Sequence, residues 1–128
     1  MGILFNDTVE VLTAMIHGTT LRHEVLSRNV ANLETPGYRA QDVSFRAALR
    51  SAILEGPGEP GQAPAAPGPR VRTVVREEPG RALRPDGNTV DLDQQMVKVA
   101  QNAMTHNGLV HLLNSRFNLL RLAMRERG

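Results

Sequence analysis

The chain has 128 residues, enough for one modest domain, and its 41% of apolar residues concentrate before Leu54 and after Val90. Net charge is only +2, Lys98 is the only lysine among 15 Lys and Arg residues, and acids alternate with bases, so the clustered basic face of a nucleic-acid binder is absent. With no cysteine there is no disulfide or thiolate chemistry, and no stretch approaches the ~20 consecutive apolar residues of a membrane span.

The N-terminal segment, 1–34, opens without a basic region followed by an apolar run, so no cleavable secretory signal is expected. The pattern predicts a helix over 7–34. Asp7 is placed to cap it, and Glu10 three residues on completes a capping box. Its seam runs Val9, Leu12, Ile16, Thr19, His23, Leu26, Val30 and Leu33, alternating steps of three and four. Gly18 weakens the middle by roughly 1 kcal/mol relative to Ala.

Thr35-Pro-Gly-Tyr38 then stops the helix. Pro36 disfavours helical geometry at Thr35, and Gly37 accepts the positive φ of a type II turn. The connector, 35–54, continues into a predicted short helix over 42–54, with Phe45, Ala48, Leu49, Ala52 and Ile53 on one face and Asp42 or Ser44 as its cap. Residues 55–90 read as a flexible loop. "EGPGEPGQAPAAPGPR" from Glu55 is too poor in large apolar residues to offset the entropy of ordering. "RVRTVVRE" from Arg70 suggests a short extended segment, and "PDGN" from Pro85 to Asn88 is turn chemistry.

The last segment, 91–128, predicts a second helix capped by Asp91, with Gln94 completing another capping box. Its seam runs Leu92, Met96, Val99, Ala103, His106, Val110, Leu113, Phe117, Leu120 and Met124. Leu109, Leu112, Leu119 and Leu122 add apolar surface beside it. At 1.5 Å per residue this helix is roughly 50 Å long, against roughly 40 Å for the first.

Matched heptads at the two ends predict a mainly α fold. The two long terminal helices pack as an antiparallel coiled-coil-like hairpin, around a short helix and a mostly irregular middle. The surplus apolar stripe on the second helix needs neighbours. A head-to-tail assembly supplies them, and so does a small closed bundle or dimer; the pattern leaves both open.

Chemistry-bearing groups are sparse. His17, His23, His106 and His111 include no i, i+4 pair, so no zinc site is expected. His23 and His106 fall on the seams, where polar residues set register. Asp91 and Asp93 suit a helix start, and Arg121, Arg125 and Arg127 suit a helix end. No nucleotide-binding or nucleophile motif occurs. The sequence therefore predicts neither an enzyme nor a cofactor.

"LSRNVANLETPGYRAQDVSF", from Leu26 to Phe45, resembles the N-terminal signature of bacterial flagellar rod and hook proteins, with its elements on Asn29, Asn32, Thr35, Pro36, Gly37 and Tyr38. Glu34 departs from the smaller polar residue common there. "DGNTVDLDQQMVKVAQNAMTHNGLVHLLNSRFNLLRLAM", from Asp86 to Met124, is similar to the C-terminal region of the proximal rod subunits of that family through Asp86, Gly87, Asn88, Val90, Asp91, Asp93, Met96 and Asn102. The resemblance implies a structural subunit exported through the flagellar type III apparatus without a cleaved signal. It implies assembly in the periplasm into a helical, torque-transmitting rod of the basal body, with the terminal helices near the axis. The implied partners are copies of itself, other rod subunits, a rod–ring adaptor protein, and the inner-membrane ring with its export gate. The rival reading is a small secreted or periplasmic helical-hairpin adaptor.

Overall fold

The computed structural model describes residues 2–44, 74–80 and 85–127, with side chains from Thr8 onward in the first stretch and from Val75 in the second. Helix α1 spans Gly2–Ala31, strand β1 Gln41–Ser44, strand β2 Val74–Glu77 and helix α2 Leu92–Glu126.

Helix α1 starts at Gly2, so Asp7 lies inside it rather than at its cap. Nothing between Gly2 and Asp7 breaks a helix, and extending one adds a hydrogen bond for each residue fixed. The other end is abrupt. The Asn32 N–H reaches both Arg28 O (3.1 Å) and Asn29 O (3.2 Å), and the Leu33 N–H reaches only Val30 O (3.2 Å), so the last turn tightens. Thr35 O then accepts from the Tyr38 N–H at 3.3 Å, and Gly37 has φ +72°, as a type II turn requires.

Residues 42–44 are strand, not the start of a helix. β1 pairs antiparallel with β2, Gln41 opposite Glu77 and Ser44 opposite Val74. Asp42 caps nothing here. Its carboxylate is drawn to Arg22 of α1, and cross-strand bonding overrides a weak helical preference. The rest of that expected helix, 45–54, and the loop 55–70 lie outside the described residues. β2 falls within the extended segment expected from Arg70.

Asp91 caps α2. Its backbone is extended, with φ −104° and ψ 114°, and its Oδ1 accepts from the Gln94 N–H at 3.3 Å. The two helices pack antiparallel, because Asn29 meets Gln95 while Thr19, earlier in α1, meets the later Asn102 and His106. The core is small and mixed. Leu12, Val25, Leu26, Ala40, Val43, Val90 and Leu109 are buried, and so are Thr19, Asn29, Asn88, Gln95 and Asn102.

Candidate assembly surface and its polar seam

Asn29 uses every hydrogen-bonding position of its side chain. Its Nδ2 donates to Gln41 O (2.6 Å) and Gln95 Oε1 (2.9 Å), and its Oδ1 accepts from the Gln41 N–H (3.0 Å) and the Tyr38 hydroxyl (3.2 Å). The carboxamide thus stands in for a neighbouring strand at Gln41 while gripping α2. Asn88 does the corresponding work at the end of α1. Its Nδ2 is shared among Asn32 O (3.1 Å), Leu33 O (3.0 Å) and Thr35 O (2.9 Å), and its Oδ1 accepts from the Val90 N–H at 2.8 Å. The carbonyls that a helix end leaves orphaned are therefore satisfied from across the fold.

Asp86 Oδ1 folds the second turn by accepting from the Asn88 N–H at 3.0 Å, and Gly87 has φ +83°. A Cβ on Gly87 would lie 3.7 Å from the Gly37 Cα. The two turns therefore nest, each with its glycine in the left-handed region. The two signature stretches, far apart in sequence, form one polar junction. In it, Thr35 Oγ1 donates to Asn32 Oδ1 (3.0 Å), the Thr89 N–H donates to Tyr38 O (3.1 Å), and Pro36 lies exposed on the surface.

Further along, Asn102 Nδ2 donates to Thr19 O at 2.8 Å. The Thr19 hydroxyl donates to Ile16 O at 2.7 Å. With that proton committed, His106 Nδ1 donates to Thr19 Oγ1 across 2.8 Å. Gln95 Nε2 and Asn102 Oδ1 are buried without partners.

An ionic cluster ties the sheet to both helices. Arg22 grips Asp42 with two bonds, Nε to Oδ1 (2.8 Å) and Nη2 to Oδ2 (3.1 Å). Lys98 Nζ lies 3.5 Å from Asp42 Oδ2 and pairs with Glu78. Burial pushes the Asp42 carboxyl up. Hydrogen bonds from Arg22 and the Val43 N–H, with the charges of Arg22 and Lys98, outweigh it and hold the group below its usual value. The chain's one lysine thus sits where a single flexible cation can reach two carboxylates on different elements.

Of the expected α1 seam, Leu12, Thr19 and Leu26 are buried, Val9, Ile16, Val30 and Leu33 are half-buried, and His23 is exposed. On α2 the deepest positions are Gln95, Asn102 and Leu109, seven residues apart. Each lies one residue before the expected Met96, Ala103 and Val110. Val99, His106, Val110 and Leu113 are half-buried, whereas Leu92, Met96, Ala103, Phe117, Leu120 and Met124 are exposed. The shift has a local cause, since Asn29 and Thr19 offer partners to a carboxamide and none to a methionine.

The result is an unusual surface. Val97, Met104, Leu112, Leu119 and Leu122 are exposed as well, Met104 to 75%. Exposed apolar residues thus run along α2, joining the predicted stripe to the outer face. Distally, Asn114, Phe117, Asn118, Leu120, Arg121 and Met124 line a shallow hollow. Among the described residues no group of three or more His, Cys, Asp or Glu could hold a metal, and no helix is long and apolar enough to cross a membrane. What the described part of α2 offers is exposed apolar contact area.

Sequence reasoning reached Asn29 and Asn102 only through the resemblance and Asn88 only as turn chemistry and through the resemblance, and it missed the roles of Gln95, Arg22, Asp42 and Lys98. The seven-residue spacing of Gln95, Asn102 and Leu109 was the available signal. Polar residues on a heptad next to an apolar one mark a register-setting seam.

No protein-family model matches the chain. Curated relatives do. The flagellar basal body rod protein FlgB of Salmonella typhimurium is 32% identical over 106 residues, 73% of this chain and 75% of the relative. That of Cereibacter sphaeroides is 31% identical over 125 residues, 94% of this chain and 96% of the relative. That of Bacillus subtilis is 28% identical over 123 residues, 94% and 95% of the two chains.

Proposed function

We propose how the chain works from one premise: it belongs to the FlgB family of flagellar basal body rod proteins, and it is a structural subunit of the rod. The observation that carries the mechanism is the pairing of a hydrogen-bonded turn end with an α2 that leaves Leu92, Met96, Val97, Met104, Leu112, Leu119 and Leu122 exposed. Exposed apolar patches of this extent mark contact sites.

In this reading the polar junction fixes where each helix leaves the turn. The exposed α2 face, with Phe117, Leu120 and Met124 of the predicted seam, packs on neighbouring subunits. Head-to-tail repetition of that contact builds a helical shaft, and many shared contacts carry torque. The neighbours are copies of this chain and other rod subunits. At the base stand a rod–ring adaptor and the inner-membrane ring with its export gate. The subunit reaches the periplasm through the flagellar type III apparatus, without a cleaved signal. It needs no cofactor and catalyses no reaction. Asp91 and Asp93 serve the start of α2, Asp91 as its cap and Asp93 in its first turn. Nothing in the relatives or the geometry favours the adaptor reading.

Mass spectrometry of detergent-extracted basal bodies, before and after hook and filament are stripped, tests this. The chain is expected to stay with the ring fraction. Its absence there, with a discrete soluble oligomer in the cell, would overturn the proximal placement.

A further inference from the structure

We propose that the buried pairs Asn29–Gln95 and Thr19–Asn102 form a roll lock, which holds α2 turned so that Leu92, Met96 and Ala103 stay out of the intramolecular seam. The proposal rests on the assembly reading only for its purpose, which is to keep that strip displayed for neighbouring subunits.

Two rolls of α2 compete for the same face of α1. One residue is about 100° around a helix. Gln95 and Asn102 therefore cannot face α1 squarely together with Met96 and Ala103, while Val99, His106 and Leu113 border both rolls. By apolar content the second roll is favoured at its N-terminal half, since it removes Leu92 (41% exposed) and Met96 (52% exposed) from water, while the observed roll buries Leu109 further along. The fold adopts the first. It buries Gln95 completely and Asn102 to within 2%. It also leaves Gln95 Nε2 and Asn102 Oδ1 unpaired, a penalty that the second roll would relieve. The bonds from Asn29 Nδ2 to Gln95 Oε1 (2.9 Å) and from Asn102 Nδ2 to Thr19 O (2.8 Å) reward the observed roll from inside the seam, and the pairs of Lys98 with Asp42 and Glu78, on the same side of α2, add to them. A polar seam that selects one arrangement over a more apolar one is a specificity device.

The absence of cysteine makes the test direct. Ala103→Cys places a small reporter on the displayed strip, and Met104→Cys places one on the outer face, exposed in either roll. Each is introduced singly into the full-length chain and labelled with N-ethylmaleimide. The measurement is repeated in a Gln95→Ala/Asn102→Ala background, which removes both lock bonds and supplies no apolar replacement. With the lock intact, both reporters should label at similar rates. With it broken, the Ala103→Cys rate should fall about tenfold relative to Met104→Cys while helical circular dichroism persists. An unchanged ratio with retained helix would overturn the proposal. If the double variant loses its helical signal, Asn102→Ala alone carries the test by the same criterion. Loss of fold in that variant too would overturn the proposal, which requires a second packed roll. Recovery of the unmodified chain in basal bodies is read separately, so failure of the lock leaves the assembly reading standing.

Discussion

The turn end and the open end of the hairpin are built on opposite plans. At the turn end, α1, β1, the Asp86–Val90 segment and the start of α2 share a dense set of hydrogen bonds, and Asn29, Asn88 and Gln95 are completely buried. Toward the open end, every residue of α2 from Asn114 to Glu126 is exposed, Phe117, Leu119, Leu120, Leu122 and Met124 among them. One end makes most of its polar contacts within the chain, and the other leaves apolar area exposed. Directional bonds define geometry, while apolar area supplies association strength. A rod subunit that must present a fixed angle to its neighbours can use the first where the chain reverses and the second for association.

The contrast orders the expected effects of mutation on the isolated chain. Asn29→Ala strikes the junction hardest, because Gln41, Tyr38 and Gln95 each lose a buried partner. It should destabilise by about 3 kcal/mol, read from the urea midpoint at unchanged m-value. Gly37→Val follows, since a β-branched residue at φ +72° is strained, by about 2 kcal/mol. Cells carrying it should export the subunit yet fail to assemble it, and normal swimming would rule out the turn as a requirement.

Acid comes next. Asp42 has a depressed folded pKa, so its contribution is fully present above the unfolded value, near 3.8. It is lost as pH falls through the lower, folded value. The urea midpoint should therefore drop below about pH 4. Asp42→Asn should be weaker at neutral pH and lack that part of the acid step. Met104→Ser should lie within about 0.5 kcal/mol of the parent in the free chain. It should nonetheless lower incorporation into basal bodies, the reverse of the Asn29→Ala pattern. Equal incorporation would remove Met104 from the interface.

Much of this contrast is legible in the amino-acid order alone. Heptads at both ends imply an antiparallel helical hairpin, Pro36 and Gly37 imply the sharp turn, and Asp91 implies the second start. What escapes such reading is set by pairings between distant residues. Residues 42–44 are strand because 74–77 lie beside them. Lys98 is merely the sole lysine until Asp42 and Glu78 are brought around it. The α2 seam moves by one residue because hydrophobic periodicity weighs Met96 above Gln95 and takes no account of a bond to Asn29. Asp7 misleads for the opposite reason, since a good local cap has no force inside a helix that propagates through it.

Hydrogen exchange on the purified free chain, followed by mass spectrometry, tests the contrast most directly. Amides of residues 26–33 and 95–106, held by the polar junction and seam, should be the slowest. Those of 114–126 should exchange quickly, because short stretches of helix without packing partners are marginal in water. The same amides should become protected once the subunit is incorporated into basal bodies. Strong and equal protection of both regions in the free chain would contradict the account.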